Sequence, residues 1–137
     1  MSQANVELAR RAYEEVNSVR NRDGALRWLN EFCDPDIEWD FSRRGLDGAI
    51  YHGYEGWLSF AEQFRGVWQE FHREVQEIFD VGESVVVFTR DTGVSESGIK
   101  VANSVGQVSS FRNGKMVSYR YFGEDRLACL EAVGLDR

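Results

Sequence analysis

Polar and apolar residues alternate along Val101–Phe122, and this alternation predicts two long strands joined by a tight turn. The strands are Val101–Arg112 and Lys115–Phe122, with Asn113-Gly114 between them. Asn-Gly between two alternating runs is the strongest short-range signal of a β-hairpin, because both residues tolerate a positive φ. A hairpin of this length needs another layer over its apolar face, which we expect the rest of the chain to supply.

The period of two assigns each hairpin residue to one face or the other. The face with Tyr119 and Tyr121 is expected to be the inward one. One face of the first strand carries Val101, Asn103, Val105, Gln107, Ser109 and Phe111. On the second strand, Val117, Tyr119 and Tyr121 share a face, and Met116, Ser118 and Arg120 share the other.

Four other segments have strand patterns: Asp36–Phe41, Ala49–His52, Glu70–Phe79 and Ser84–Thr92. The first and third alternate, which indicates strands with one buried face. Ser84–Thr92 is apolar on both faces, which predicts a strand that is covered on both sides. The shared buried faces are expected to hold Ile37, Trp39 and Phe41 in the first segment and Phe71, Val75 and Phe79 in the third.

Apolar residues recur at spacings of three and four in four further segments, which is the period of an amphipathic helix. Asp23 is the predicted N-cap of the second helix and Asp125 that of the last, which Gly134 terminates. The segment Ser42–Gly48 is predicted to be a polar loop. The predicted helices are 3–20, Gly24–Phe32, Tyr54–Phe64 and Asp125–Val133.

This order of elements predicts an α+β fold. Three helices surround one short strand, then a meander of four long strands follows, and a short helix ends the chain. The sequence has one proline, Pro35, and neither a Gly/Ser-rich linker nor an internal repeat. We therefore expect a single domain over residues 1–137.

Composition narrows the possible partners. The 137 residues are 42% hydrophobic and 13% aromatic, which predicts a folded core, and they carry a net charge of −7. Nucleic acids and anionic membranes attract basic surfaces, so this charge disfavours both. The N-terminus lacks the apolar segment of a signal peptide, and no apolar run is long enough to span a bilayer. We expect a cytoplasmic protein in which Cys33 and Cys129 are reduced, structural thiols.

The aromatic residues are the clearest sign of a pocket. A pocket that is walled by aromatic rings and holds a few polar groups suits a hydrophobic, cyclic small molecule. The alternative is that the same side chains fill the interior and leave no cavity. The aromatic residues on predicted inward faces are Trp28, Trp39, Trp57, Phe60, Phe64, Phe88, Phe111, Tyr119 and Tyr121.

Five short motifs follow one another along the chain: Asp34-Pro35-Asp36-Ile37-Glu38-Trp39, Tyr51-His52-Gly53-Tyr54-Glu55-Gly56, Ser97-Gly98, Phe111-Arg112-Asn113-Gly114-Lys115, and Asp125-Arg126 with Leu130-Glu131-Ala132-Val133-Gly134-Leu135. Their order and spacing resemble the SnoaL-like branch of the nuclear-transport-factor-2-like superfamily over almost the whole chain. The resemblance implies a curved sheet wrapped by helices into a cone, with an internal cavity and dimerisation through the sheet. The superfamily contains ketosteroid isomerases, polyketide cyclases, dehydratases, epoxide hydrolases and proteins that only bind, so the fold does not fix the function.

The resemblance implies a place for a carboxylate base, as ketosteroid isomerase chemistry requires, at the end of the first predicted strand. Counting from Phe32 puts Asp40 there, whereas counting from Pro35-Asp36 puts Phe41 there. Because Phe41 shares its face with Trp39 in the alternation, Asp40 is expected to point outward.

The same chemistry needs an oxyanion hole made by a tyrosine and a protonated acid. Tyr13 matches the tyrosine loosely, and the alternative is a core tyrosine with its hydroxyl at the rim. The hairpin offers Gln107 or Ser109 in place of the acid. Neither supplies an acidic proton, although Gln107 can donate an amide hydrogen bond.

The epoxide hydrolase pattern needs an Asp–Arg–Asp arrangement, but Arg90 and Asp91 are adjacent and so face opposite ways on a strand. If Asp80–Glu83 forms a four-residue turn, Glu77 and Arg90 point to the same face as Phe88. This pair could be a buried ion pair or a polar contact for a ligand, and the structural role is favoured because buried charges are usually paired. No cluster has metal-ligand spacing, and no glycine-rich phosphate loop is present.

Two hypotheses of different classes follow. The first is a SnoaL-like pocket protein that binds a small hydrophobic ligand without catalysis, because no clear acid–base pair accompanies the aromatic residues. The alternative is a cofactor-independent isomerase, cyclase or dehydratase with Tyr13, Asp40 and Glu77 as candidate catalytic residues. Neither calls for a metal or cofactor, and a homodimer is expected through the outer sheet face at Val85 and Val87. The predicted pocket residues are Tyr13, Trp28, Trp39, Trp57, Phe60, Phe64, Phe88, Arg90, Gln107, Ser109, Tyr119 and Tyr121.

Overall fold

The structure, a computed structural model, describes residues 3–43, 49–65 and 67–135. Over these residues the chain forms four α-helices, one short 3-10 helix and six strands, in the α+β arrangement that the sequence predicts. The predicted loop Ser42–Gly48 lies mostly outside the described residues.

The helices have clear local signals. Asn21, and not the predicted Asp23, caps the second helix, because its side-chain oxygen accepts a 2.8 Å hydrogen bond from the Gly24 amide. Asp125 caps the last helix as predicted and accepts from the Ala128 amide. The helices are α1 (Gln3–Glu15), a 3-10 turn (Val16–Ser18), α2 (Arg22–Phe32), α3 (Gly53–Arg65) and α4 (Arg126–Glu131).

The six strands form one mixed sheet in the order β2-β1-β6-β5-β4-β3. β1 runs parallel to β6, and the other neighbouring pairs are antiparallel. Asn113 and Gly114 have φ of 55° and 78°, which confirms the turn of the predicted hairpin. The strands are β1 (Cys33–Asp40), β2 (Ile50–His52), β3 (Trp68–Val81), β4 (Ser84–Ser95), β5 (Lys100–Arg112) and β6 (Lys115–Gly123).

The two faces of the sheet have separate cores. The inner face packs against α1, α2 and α3 in the larger cluster. On the outer face, α4 covers a smaller cluster through Cys129 and Leu130, which pack with Val86, Phe88 and Val108. The sheet is therefore covered on both faces only where α4 packs on it. This confirms the prediction that β4 is covered on both faces there.

A β-bulge divides β3 and changes which of its side chains face inward. Val75 pairs with Thr89, but Glu77 pairs with Phe88, so one extra residue of β3 lies between these pairs. Val75 packs against the inner core, whereas Phe79 contacts Phe88 on the outer face. The prediction that Val75 and Phe79 share one face is wrong, because the bulge reverses the alternation.

Another bulge lies in β6. Phe111 pairs with Met116 and Ser110 with Ser118, which leaves Val117 as the extra residue. Met116 consequently lies in the inner core with Tyr119, instead of on the opposite face as the alternation predicts.

The predicted dimer contacts at Val85 and Val87 are also wrong. Both side chains have 0% exposure and lie in the inner core cluster, because the inner face of β4 is the one that α1 covers. Val86, between them, is on the outer face.

Within the described residues, no helix is long and apolar enough to cross a membrane.

Candidate functional site

A cavity of about 690 Å³ lies between the inner face of the sheet and the helices α1 and α3. It is lined mostly by aromatic side chains, together with a small set of polar ones. The aromatic lining consists of Tyr13, Trp28, Trp39, Phe41, Trp57, Phe60, Phe64, Trp68, Phe71, Tyr119 and Tyr121. The polar lining includes Asn17, Arg20, Gln69, Glu70, Arg73, Asp91, Thr92 and Asn103.

The aromatic wall is built from two stacks. Trp57 of α3 stacks on Trp28 of α2 with ring centroids 5.1 Å apart and planes at 29°, and Trp28 also stacks on Trp39 of β1. Phe41 stacks almost parallel on Phe60 at 4.1 Å and 13°. Such offset and tilted contacts add stability beyond simple burial, so the wall holds its shape.

The N–H groups of two tryptophans are satisfied away from the cavity. Trp28 Nε1 donates to the carbonyl of Ala12 at 2.9 Å, and Trp39 Nε1 donates to that of Gly53 at 3.0 Å. Each bond fixes the orientation of its indole ring. The surface that these rings offer to the cavity is therefore apolar.

Arg73 and Asp91 form a charge pair in the cavity wall. They face each other directly across β3 and β4. Arg73 Nε donates to Asp91 Oδ1 at 3.0 Å, and Nη2 donates to Oδ2 at 2.7 Å. The side chains are only 17% and 9% exposed. The bidentate geometry and the low exposure hold Arg73 and Asp91 together as one charge pair.

Two tyrosine hydroxyls lie near this pair. Arg73 Nη1 donates to Tyr119 Oη at 3.2 Å, and the Tyr13 hydroxyl shares a 2.7 Å hydrogen bond with Ser109 Oγ. Burial raises the pKa of Tyr119 to about 12, with Arg73 acting in the opposite direction. Burial also raises the pKa of Tyr13 well above its ordinary value. Both phenols are therefore neutral at physiological pH.

The charge pair is supported from behind by Thr89 and Gln107. Thr89 Oγ1 donates to Asp91 Oδ1 at 2.9 Å, and Gln107 Nε2 donates to Thr89 Oγ1 at 3.1 Å. Gln107 Oε1 has no hydrogen-bond partner among the residues that the structure describes.

Asn17, just beyond α1, holds the backbone of Arg73. Its Nδ2 donates to the Arg73 carbonyl at 2.7 Å, and its Oδ1 accepts from the Arg73 amide at 2.9 Å. This reciprocal pair ties the helical layer to β3 at the position of the charge pair.

The family model of the SnoaL-like domain matches residues 9–119. This chain belongs to the SnoaL-like domain family. No curated protein matches it in sequence.

Solved structures share the SnoaL-like fold. TerC co-crystallised with polyporic acid is 23% identical, with a TM-score of 0.75 over 96% of this chain and 98% of that one. A putative SnoaL-like polyketide cyclase from Jannaschia sp. CCS1 is 24% identical, with a TM-score of 0.72 over 95% and 91%. An NTF2-like protein of unknown function from Burkholderia pseudomallei K96243 is 21% identical, with a TM-score of 0.74 over 98% of both chains. At these identities the matches show the fold, and they confirm the predicted cone-type α+β class.

Most of the aromatic residues that were predicted to form the pocket line the cavity. Gln107 and Ser109, which were also predicted to line it, are fully buried behind the wall and reach it only through Thr89 and Tyr13. The predicted residues that line the cavity are Tyr13, Trp28, Trp39, Trp57, Phe60, Phe64, Tyr119 and Tyr121.

Phe88 and Arg90 do not reach the cavity, so their prediction as pocket residues is wrong. Thr89 and Asp91 take the inward positions of β4, and the alternation therefore sends Phe88 and Arg90 outward. Phe88 packs with Cys129 under α4, and Arg90 is exposed. A strand that is apolar on both faces gives no sequence signal for choosing between the two phases.

The predicted carboxylates also lie elsewhere. The β3 bulge turns Glu77 to the outer face, where its Oε1 accepts from Arg126 Nη2 at 2.8 Å, so no Glu77–Arg90 pair forms in the interior. Asp40 faces away from the cavity, into a smaller outer depression of about 420 Å³, and Phe41 takes the inward position. Neither acid is placed to act on a molecule in the cavity.

Arg73 and Asp91 were missed as cavity residues, although the pattern contained a signal for Arg73. Arg73 lies between Phe71 and Val75 in the same alternation. Among the described residues, no group of three potential ligands could hold a metal ion.

Proposed function

We propose that this SnoaL-like protein binds a hydrophobic, cyclic small molecule in its aromatic cavity without transforming it. The observation that carries the proposal is the stacked lining of Trp28, Trp57, Phe41 and Phe60 around about 690 Å³. Cavities of this size and composition, with few polar groups, are typical of small-molecule sites. TerC, which shares this fold, was co-crystallised with polyporic acid, and this supports an organic ligand for a protein of this fold.

Binding without catalysis is favoured by the carboxylates that line the cavity. Asp91 is held by two bonds from Arg73 and one from Thr89. Glu70 is exposed to solvent. A general base must be within reach of the proton it takes and must have a free lone pair for it, and Asp91 has little spare capacity.

The second candidate is a cofactor-independent isomerase, cyclase or dehydratase. It is supported by the presence of Tyr119 and Asp91 in one cavity, because a neutral phenol and a nearby carboxylate can serve as acid and base. In this candidate Asp91 takes the role that the sequence had suggested for Asp40 and Glu77.

Tryptophan fluorescence tests the binding proposal, because all four tryptophans line the cavity. Titration with a panel of steroids and polycyclic aromatic compounds is expected to give saturable quenching by at least one of them. Trp57→Ala should weaken that binding at least about fivefold by removing one stacking surface. Leu127→Ala, at an exposed position of α4, is the control and should leave it unchanged. A flat response across the panel would contradict the proposal.

The two candidates differ in turnover. Any compound that binds is incubated with the protein, and the mixture is followed by NMR and mass spectrometry. Unchanged compound supports a binding protein. A product that forms with wild-type protein and not with Asp91→Asn would support the enzyme instead.

A further inference from the structure

We infer that the ligand places an uncharged acceptor oxygen, a ring carbonyl, against Tyr119, and that the Tyr119 hydroxyl selects for it. This inference rests on the proposed binding function and deepens it. It follows from the direction of each hydrogen bond around the Arg73–Asp91 pair.

The first step concerns Arg73, which has N–H donors and no acceptor. In its contact with Tyr119, Nη1 must donate and Oη must accept. The Tyr119 oxygen therefore uses a lone pair on the protein, and its own hydrogen is directed elsewhere.

The second step concerns the destination of that hydrogen. Within residues 3–43, 49–65 and 67–135, no acceptor pairs with the Tyr119 O–H, and Tyr119 lines the cavity. Tyr13, whose ring centroid is 6.2 Å away, has its hydroxyl bonded to Ser109. Tyr119 thus has a donor to offer, and a buried donor without a partner costs free energy that a ligand acceptor recovers.

The third step concerns charge. Asp91 neutralises Arg73, and Thr89, which accepts a hydrogen bond from Gln107, donates to Asp91 and holds it in that position. Arg73 cannot turn to a ligand without leaving Asp91 unpaired, which is costly at this degree of burial. Arg20 and Glu70, the other charged residues of the lining, also carry opposite charges. The cavity therefore offers a neutral donor in a site with a balanced charge, which fits a carbonyl better than a carboxylate or a phosphate.

The raised pKa of Tyr119, about 12 and due to burial, supports this role. The phenol keeps its proton throughout the physiological range, so the donor is present at every pH at which the protein works.

Three probes of one shape test the inference: 1-tetralone, tetralin, and 1,2,3,4-tetrahydro-1-naphthoate. Their dissociation constants are measured by isothermal titration calorimetry. Wild-type protein is expected to bind the ketone about fivefold to tenfold more tightly than tetralin, the ratio given by one buried hydrogen bond, and to bind the carboxylate no more tightly than the ketone.

Tyr119→Phe removes the hydroxyl and keeps the ring that packs against Trp39 and Phe41. It should lower the affinity for the ketone by the same fivefold to tenfold and leave tetralin unchanged. Tyr54→Phe is the matched control, because its hydroxyl donates to the Cys33 carbonyl and its side chain does not line the cavity. It should leave both affinities unchanged.

The outcomes separate the two proposals. Three results would overturn the role of Tyr119 and still leave a ligand-binding cavity. The wild type could bind the ketone and tetralin equally, or it could bind the carboxylate most tightly. Alternatively, Tyr119→Phe could lose affinity for the ketone and for tetralin to the same extent. The wild-type comparison decides the question even where the variant folds poorly. Binding of none of the three, together with a flat fluorescence response to the wider panel, would overturn the proposed function and this inference with it.

Discussion

At the scale of single residues, the cavity wall depends on one pair of opposite charges that has little exposure to solvent. Arg73 and Asp91 satisfy each other through two hydrogen bonds, and Thr89 supports Asp91 from the other side. Each member is acceptable in the interior only while its partner is present. The pair therefore acts as a single unit in folding as well as in shaping the cavity.

Asp91→Asn is expected to lower the free energy of unfolding by about 3 kcal/mol or more, because it leaves a buried guanidinium without its counter-charge. Urea unfolding followed by circular dichroism measures the change. The control is Glu77→Gln, which breaks an ion pair whose side chains are about half exposed (53% and 48%). It should cost less than about 1 kcal/mol. Equal losses in the two variants would contradict the unit described here.

Tyr119 should make stability depend on pH in the alkaline range. Burial raises its pKa from 10.0 to about 12, so the folded protein holds the phenolic proton more tightly than the unfolded chain does. This contribution is fully present below about pH 10 and is lost as the pH rises through about 12.

The measurement compares wild type with Tyr119→Phe, which lacks this titration but shares all other groups. Between pH 10 and 12 the wild type should lose roughly 2–3 kcal/mol more of its unfolding free energy than the variant. Parallel curves would show that Tyr119 does not titrate differently in the two states.

At the scale of elements, periodicity predicted the helices, the strands and the central hairpin well. It succeeded where one face was apolar, the other was polar and no bulge intervened, as in Ile37, Trp39 and Phe41 with Asp40 outside. Asn113-Gly114 fixed the turn because its positive φ values need these residue types. Most of the aromatic lining of the cavity was predicted from this alternation and from the helical period.

The polar part of the cavity was not predicted, and the reasons are local. The bulge in β3 adds one residue, which reverses the face of every position after it without any change in composition. In β4, Val85–Phe88 is apolar on both sides, so the phase that turns Asp91 inward and Arg90 outward had no marker. Partner choice across strands, such as Arg73 with Asp91, depends on register, which single-strand patterns do not contain.

Deletion of Gln76 tests the bulge directly. Without the extra residue, one half of β3 must reverse its faces, so that either Arg73 leaves Asp91 or Glu77 enters the core. The deletion is expected to cost about 3 kcal/mol or more, as other ways of breaking a buried pair do. Gln76→Ala keeps the chain length at this exposed position and should cost less than about 1 kcal/mol. A deletion variant as stable as Gln76→Ala in urea unfolding would contradict this account.

At the scale of the whole molecule, the outer face of the sheet beyond α4 has no covering element among the described residues. Its side chains are small or mutually compensating: Glu74 lies opposite Arg90, and Arg90 lies opposite Ser104. We propose that a second copy of the chain packs on this face, with these residues in place of Val85 and Val87.

Size-exclusion chromatography with light scattering is expected to give a dimer at micromolar concentration. Ser104→Arg places an added charge in the middle of the proposed contact and should give a monomer. Ser18→Arg introduces the same change at an exposed position between α1 and α2, and should stay dimeric. A monomeric wild type would contradict the proposal.

The two hydrogen bonds between Asn17 and the Arg73 backbone also affect how readily the protein aggregates. β3 is a 14-residue edge strand, and such an edge is a template on which another extended chain can add. Asn17 occupies both the amide and the carbonyl that Arg73 would otherwise present outward near the middle of this edge. A single asparagine thus prevents an incoming strand from pairing along β3 without interruption, and so guards the long open edge against aggregation.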